Sequence, residues 1–190
     1  MGGGRSLATL LGRVAARGAR RSQGLVRGFD HRAGPSACGW CAKKNAPDAA
    51  LGRSRGGLTT KIHVVTLNEN RAVVIQLTPG QASDCAQFEP LYQALPQENI
   101  IASAALDKGY DTNAIRLRLS LDGIDPVIPG RANRIEPIIY DEEQYKERNR
   151  VERFFNKLKQ FRRIATRYEK HAFTFLAMIH IVAAFISARN

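Results

Sequence analysis

The chain has 190 residues, enough for one domain with a real core, and a formal charge of +12 with an isoelectric point near 10.2. That charge points to an anionic partner, nucleic acid before membrane lipid. Three cysteines, Cys38, Cys41 and Cys85, make no disulfide framework and fit a reducing compartment.

The first segment, Met1 to Ala42, contains no lysine and no glutamate, and its seven arginines against the single Asp30 supply six of the twelve net charges. It is otherwise mostly glycine, alanine, serine and leucine, without a consistent hydrophobic period, and is expected to be poorly ordered. An Arg-rich, acid-poor start also suits an organellar import signal. Cys38-Gly-Trp-Cys41 fits C-x-x-C, but no second ligand pair follows at zinc spacing.

From Lys43 the pattern becomes regular. Leu58 to Thr66 is rich in β-branched residues, Asn68-Glu69-Asn70 is a turn, and Ala72 to Thr78 is a second strand, together a hairpin. Asp84 is placed to cap a helix that runs through Leu95, closed by Pro96. Ile100 to Leu106 reads as a short strand ending at Asp107, Thr112 caps a helix to about Leu121, and Pro126 to Ile128 is a small buried strand. A loop with Arg131 and Arg134 leads into one long helix from about Glu142 to Tyr168. The apolar run Ala172 to Ala188 falls short of the roughly 20 residues that span a bilayer and contains Thr174, His180 and Ser187, so it reads as a buried helix. The succession of strands and helices indicates an α/β layered fold with a mixed sheet.

Two carboxylates stand out. On a helix, Tyr145, Arg148, Glu152 and Lys159 fall along one stripe, with Phe154, Leu158 and Phe161 toward the buried side. Glu152 there is either an i, i+4 surface partner of Arg148, contributing about 0.3–0.5 kcal/mol, or part of some chemistry. Asp107 ends an apolar strand just before a Lys-Gly turn, where α/β sheets present ligand-binding side chains, or it is a simple turn former. Both acids lie amid cations, a combination that phosphodiester chemistry needs: carboxylate oxygens suit Mg2+, two divalent ions about 3.5–4 Å apart clamp the attacking and leaving oxygens, and arginine and lysine hold the phosphate backbone.

The spacing Tyr145, Arg148, Glu152, Lys159 resembles the Tyr-Arg-Glu-Lys signature of bacterial insertion-sequence transposases of the DDE class, in the insertion sequence four and five groups. Further similar blocks are GRSRGGLTTKIH at Gly52 to His63, LTPGQASD at Leu77 to Asp84, LDKGYD at Leu106 to Asp111, and ERFFNKLKQFRRIATRYEK at Glu152 to Lys170, so the resemblance covers about Lys43 to Arg189. It implies an RNase H-like catalytic domain in which two aspartates and a glutamate bind two Mg2+ ions, and an enzyme that cleaves DNA at transposon ends and joins the freed 3′-hydroxyl to target DNA. By position, Asp107 is the second acid and Glu152 the third, both catalytic and metal-binding. Tyr145, Arg148, Lys157, Lys159, Arg162, Arg163, Arg53 and Arg55 are the expected DNA-binding residues. The implied partners are double-stranded DNA, both transposon ends and target, and a second copy of the chain in a synaptic complex. The expected location is cytoplasmic, nucleoid-associated, with no membrane.

The departure is at the first acid. The family places an Asp-Ser-Thr-like strand some 20 to 30 residues before GRSRGG, and this chain offers there only GFDHRAGPSACGWCA, in which His31 to Pro35 would interrupt a strand around Asp30. Back-translated and read one base later, Gly28 onward can encode Asp-Ser-Thr-Ile-Val-Arg-Ala-His. A frameshift near Ala42 is therefore expected, with residues 1–42 out of frame, residues 43–190 the incomplete catalytic domain, and the first strand missing or degraded. The alternative function is a catalytically inactive remnant that only binds DNA.

Overall fold

The computed structural model describes residues 23–25, 29–32, 50–54, 57–96 and 101–189, and the first two of these segments only by their backbone pairing. The strands are β1 (Gln23–Leu25), β2 (Phe29–Arg32), β3 (Gly52–Ser54), β4 (Gly57–Thr66), β5 (Ala72–Pro79), β6 (Ser103–Ala105) and β7 (Asp125–Val127). The helices are α1 (Phe88–Gln93), α2 (Asn113–Leu121), α3 (Glu142–Lys146), α4 (Asn149–Lys159), α5 (Arg162–Ala165) and α6 (Ala172–Ala188). Short 3-10 turns occupy Cys85–Gln87 and Lys108–Tyr110.

One mixed sheet organises the chain. β4 is its long strand: β5 pairs with it antiparallel from Thr60↔Pro79 to Thr66↔Ala72, while β1 and β2 also pair with it antiparallel. β6 lies parallel to β1, and β7 parallel to β6. This is the α/β, RNase H-like mixed sheet flanked by helices that the resemblance implies. One expectation is corrected: the place of the first strand is filled, by β1 and β2, whose registers against β4 differ by a single residue. Residues 23–32 carry no alternating β-rich pattern; pairing with β4, and for β1 also with β6, supplies what local propensity does not. The remainder of the 1–42 segment lies outside the described residues.

Alternation along β4 assigns its side chains to two cores. Ile62 and Val64 join Val151, Phe154, Phe155 and Leu158 of α4 and Phe175, Ile179 and Val182 of α6 on one face. Val65, with Val74, Ala104 and Leu106, packs on Phe88 and Leu91 of α1 and Ile115 and Leu119 of α2 on the other. Thr112 caps α2 as expected, its hydroxyl accepting from the Ile115 N–H at 3.2 Å. Gly123, at φ 72°, takes the left-handed conformation that ends this helix. Asp84, by contrast, does not cap: its carboxylate accepts from Lys61 Nζ at 3.0 Å instead. The expected long helix is three. α3 joins α4 through i→i−3 hydrogen bonds, Glu147 to Gln144 and Arg148 to Tyr145, and Phe161 is extended (φ −85°, ψ 104°), its ring packing edge-on to Phe185 of α6. α6 is the predicted helix, but only one face of it is buried, through Phe175, Ile179, Val182, Ala183 and Ile186, while Phe173, Ile181 and Phe185 are exposed; no helix among the described residues is long and apolar enough to cross a membrane.

His63 lies in the α1–α2 face of β4 with no exposure, its Nε2 2.8 Å from Thr78 Oγ1 and its Nδ1 3.4 Å from the Tyr110 hydroxyl. Burial, opposed by the charge of Asp84, lowers its pKa from 6.5 to about 4. The folded state therefore favours neutral imidazole, so this stabilisation is fully present above pH 6.5 and is lost as pH falls toward 4, a swing of about 3 kcal/mol at 1.36 kcal/mol per unit. Urea midpoints measured from pH 7 to pH 4 should fall across this window, and His63→Gln should flatten that part of the profile. A wild-type profile already flat between 6.5 and 4 would show that His63 is not held neutral.

Candidate active site

Asp107 lies two residues past the end of β6. Ala104 and Leu106 face the α1–α2 core, so alternation turns Asp107 to the face covered by α4. Its backbone is extended and its carboxylate accepts from the Lys108 N–H at 2.9 Å, which starts the Lys108–Tyr110 turn. Lys108 is exposed, while Tyr110 is fully buried and its phenol is pushed up by desolvation and by the charges of Asp84 and Asp107. Gly109 is small for a reason: a Cβ there would meet Asp84 Oδ2 at 3.3 Å.

Glu152 lies in the first turn of α4, half-exposed at 51%, and accepts from Arg148 Nη2 at 2.5 Å. Arg148, 21% exposed, also sits over the Tyr145 ring at 5.5 Å. The buried side of α4 is Val151, Phe154, Phe155 and Leu158; Phe155 belongs with the core rather than with the polar stripe. Tyr145 joins the two acids: burial raises its pKa, Arg148 lowers it, and the negative charges of Asp107 and Glu152 both raise it. Both acids thus push the Tyr145 titration in the same direction. Tyr145 packs edge-on against Tyr140 at 5.5 Å.

The remaining expected DNA contacts divide. Arg162 and Arg163 are exposed, Arg163 lying 3.9 Å from Glu169. Arg53 is exposed on β3, Lys159 is partly exposed, and Arg55 lies outside the described residues. Lys157 is drawn to the β4–β5 turn, bonded to Asn70 and 3.7 Å from Glu69, which also receives Arg153 at 2.8 Å.

A further carboxylate was not legible as part of the site. Asp111, the second acid of LDKGYD, has a side chain with no exposure. It accepts from Arg116 Nε (2.9 Å), Arg134 Nε (2.7 Å) and Nη2 (2.8 Å), and the Arg131 N–H (2.8 Å). Burial pushes its pKa up, but the hydrogen bonds from Arg134, the Arg131 backbone and Arg116 outweigh that and hold it at about 2. Arg131 in turn donates to the carbonyls of Lys108 (3.1 Å) and Gly109 (2.7 Å), the two peptides after Asp107. The Cys85 thiol also donates to Gly109 O, at 2.6 Å. Asp111 and Arg131 thus fix the turn that presents Asp107. The sequence signal for Asp111 was its place in the LDKGYD block.

The Transposase DDE domain family matches residues 32–186. A Brucella ovis protein named as a transposase for insertion sequence element IS6501 is 38% identical over 133 residues, covering 70% of this chain and 100% of that protein. The chain belongs to the DDE transposase family. No solved structure matches it.

DDE transposases generally use divalent metal ions, so the donor set matters. Asp107 and Glu152 supply hard carboxylate oxygens of the kind that suit Mg2+, on one face and about one tyrosine. Among the described residues no group of three or more His, Cys, Asp or Glu could hold an ion. Asp30 is poorly placed to be the third. On β4 the partners of Gly24 and Asp30, Thr66 and Lys61, are five residues apart, about 17 Å at the strand rise, whereas Asp107 lies two residues, about 7 Å, beyond Ala105, which is level with Gly24. Asp30 is therefore about 10 Å farther along the sheet.

Proposed function

We propose that the chain carries out DNA cleavage and strand transfer at the ends of an insertion sequence, with Asp107 and Glu152 as the catalytic carboxylates that hold Mg2+. What supports this reading most is the placement of Asp107 just past β6, where alternation turns it to the face that α4 covers, and of Glu152 in the first turn of α4. When bound, two divalent ions would activate the attacking oxygen and stabilise the leaving one. The chain's own contributions are separate from this. Asp111 and Arg131 hold the Asp107 turn, and Tyr145, Arg148, Lys159, Arg162, Arg163, Arg53 and Arg55 bind the phosphate backbone of double-stranded DNA. Lys157, engaged by Asn70 and Glu69, contributes less. A homodimer holding two transposon ends, in the cytoplasm beside the nucleoid, completes the reading.

DNA binding without cleavage is the alternative that one assay separates from this reading. The stretch Tyr145 to Lys170 has ten basic and three acidic residues, so under either reading affinity should fall steeply with salt as phosphate contacts release counterions, with a slope of about −0.9 per phosphate on a log–log plot. Nicking of a supercoiled plasmid carrying the DNA that flanks the gene, with Mg2+ and with EDTA, separates the readings. Mg2+-dependent nicks support the first, salt-sensitive binding without nicks supports the second, and an absence of binding at low salt contradicts both.

A further inference from the structure

Arg148 has two competing roles in one place. It is bonded at 2.5 Å to Glu152 and sits over Tyr145, within the group that Asp107 also influences, yet its guanidinium is one of the cations expected to hold DNA. A guanidinium committed to a carboxylate has much of its charge neutralised toward a phosphate. Glu147, the other nearby acid on this stretch, is taken by Arg150. Glu152 is half-exposed and Arg148 is partly exposed, so their pair can exchange without disturbing the buried face of α4.

We propose that Arg148 couples metal occupancy to DNA affinity: it neutralises Glu152 when no divalent ion is present and passes to a DNA phosphate when an ion takes over that carboxylate. The inference rests on the DNA-processing reading above and deepens it. A divalent ion on Glu152 replaces one cationic partner by another, and releases a charged side chain already fixed on the DNA-facing stripe. Linkage makes the effect reciprocal: DNA that engages Arg148 leaves Glu152 exposed and so raises its affinity for the ion. The chain is thereby biased to hold metal and DNA together rather than either alone.

The test is fluorescence anisotropy with a labelled 30-base-pair duplex of the DNA flanking the gene, in EDTA or in Ca2+. Wild type should bind about five- to tenfold more tightly in Ca2+, the scale of a coupling of 1–3 kcal/mol at its lower end. Glu152→Gln frees Arg148, so it should bind in EDTA about as tightly as wild type does in Ca2+, gain nothing further from Ca2+, and show a salt slope steeper by about 0.9, one phosphate. Arg148→Ala should bind weakly in both conditions. The double variant decides between this mechanism and simple neutralisation of acids: the Glu152→Gln gain should vanish in the Arg148→Ala background. Persistence of that gain, or of the Ca2+ effect in Arg148→Ala, would overturn the proposal while leaving the DNA-processing reading intact. Failure of wild type to bind the duplex in either condition would remove that reading, and this inference with it.

Discussion

Asp111→Ala is expected to destabilise the protein by about 3–5 kcal/mol, the cost of removing one partner from a buried ion pair. The wild-type carboxylate has no exposure and serves two guanidiniums and one backbone N–H. Without it, Arg116 and Arg134, whose side chains are 15% and 22% exposed, keep their charges with no acid to receive them. Domains of this kind are stable by about 5–15 kcal/mol in total, so the loss should lower Tm by roughly 10 °C at 2–4 °C per kcal/mol. Asp111→Asn keeps the shape and most acceptor geometry and should cost less than half as much. The same chemistry gives the pH dependence its sign: a carboxyl held at about 2 instead of 3.8 contributes stability that is present above pH 3.8 and lost as pH falls toward 2. Differential scanning calorimetry of the three proteins at pH 7 tests this, and a Tm for Asp111→Ala within 2 °C of wild type would show that the arginines do not depend on it.

Glu152→Gln is expected to remove strand cleavage while sparing DNA binding. Loss of a single transition-state donor costs about 10²–10³ in rate; a carboxylate that would hold the metal should cost at least that much. The background for this comparison is a chain with Asp-Ser-Thr restored on the first strand, as the shifted reading frame would encode it, because no group of three or more His, Cys, Asp or Glu among the described residues could hold an ion. Restoration should raise Mg2+-dependent nicking sharply and change binding little; Glu152→Gln in the restored chain should return nicking to background. Robust nicking by the unrestored chain would mean that some other residue provides the third acid. Restored nicking that survives Glu152→Gln would return Glu152 to the role of surface ion pair.

Legibility in the sequence followed the range of the forces involved. The β4–β5 hairpin was readable almost to the residue, since alternation and the Asn68-Glu69-Asn70 turn are local signals, and the Thr112 cap was readable because a cap is made within three residues. What failed was long-range. Asp84 looks like a cap until Lys61, 23 residues earlier, takes its carboxylate. Glu142 to Tyr168 reads as one helix because Phe161 is a fair helix former, and only its packing on Phe185 explains the break. β1 and β2 have weak strand signals of their own, and pairing with β4, for β1 also with β6, defines them. The candidate residues were named from the Tyr145, Arg148, Glu152, Lys159 spacing and, for Asp107, from the LDKGYD block, whereas the contacts of Asp111 were hidden because its three arginine partners lie 5 to 23 residues away and meet only in the fold.

The most direct test of the account is anomalous diffraction from crystals of the protein soaked in Mn2+. Asp107 and Glu152 should share one anomalous peak, with the Arg148 guanidinium displaced from Glu152. A peak bound by neither acid, or carboxylates turned to opposite sides of the sheet with Arg148 still on Glu152, would contradict the shared site on which the proposed chemistry depends.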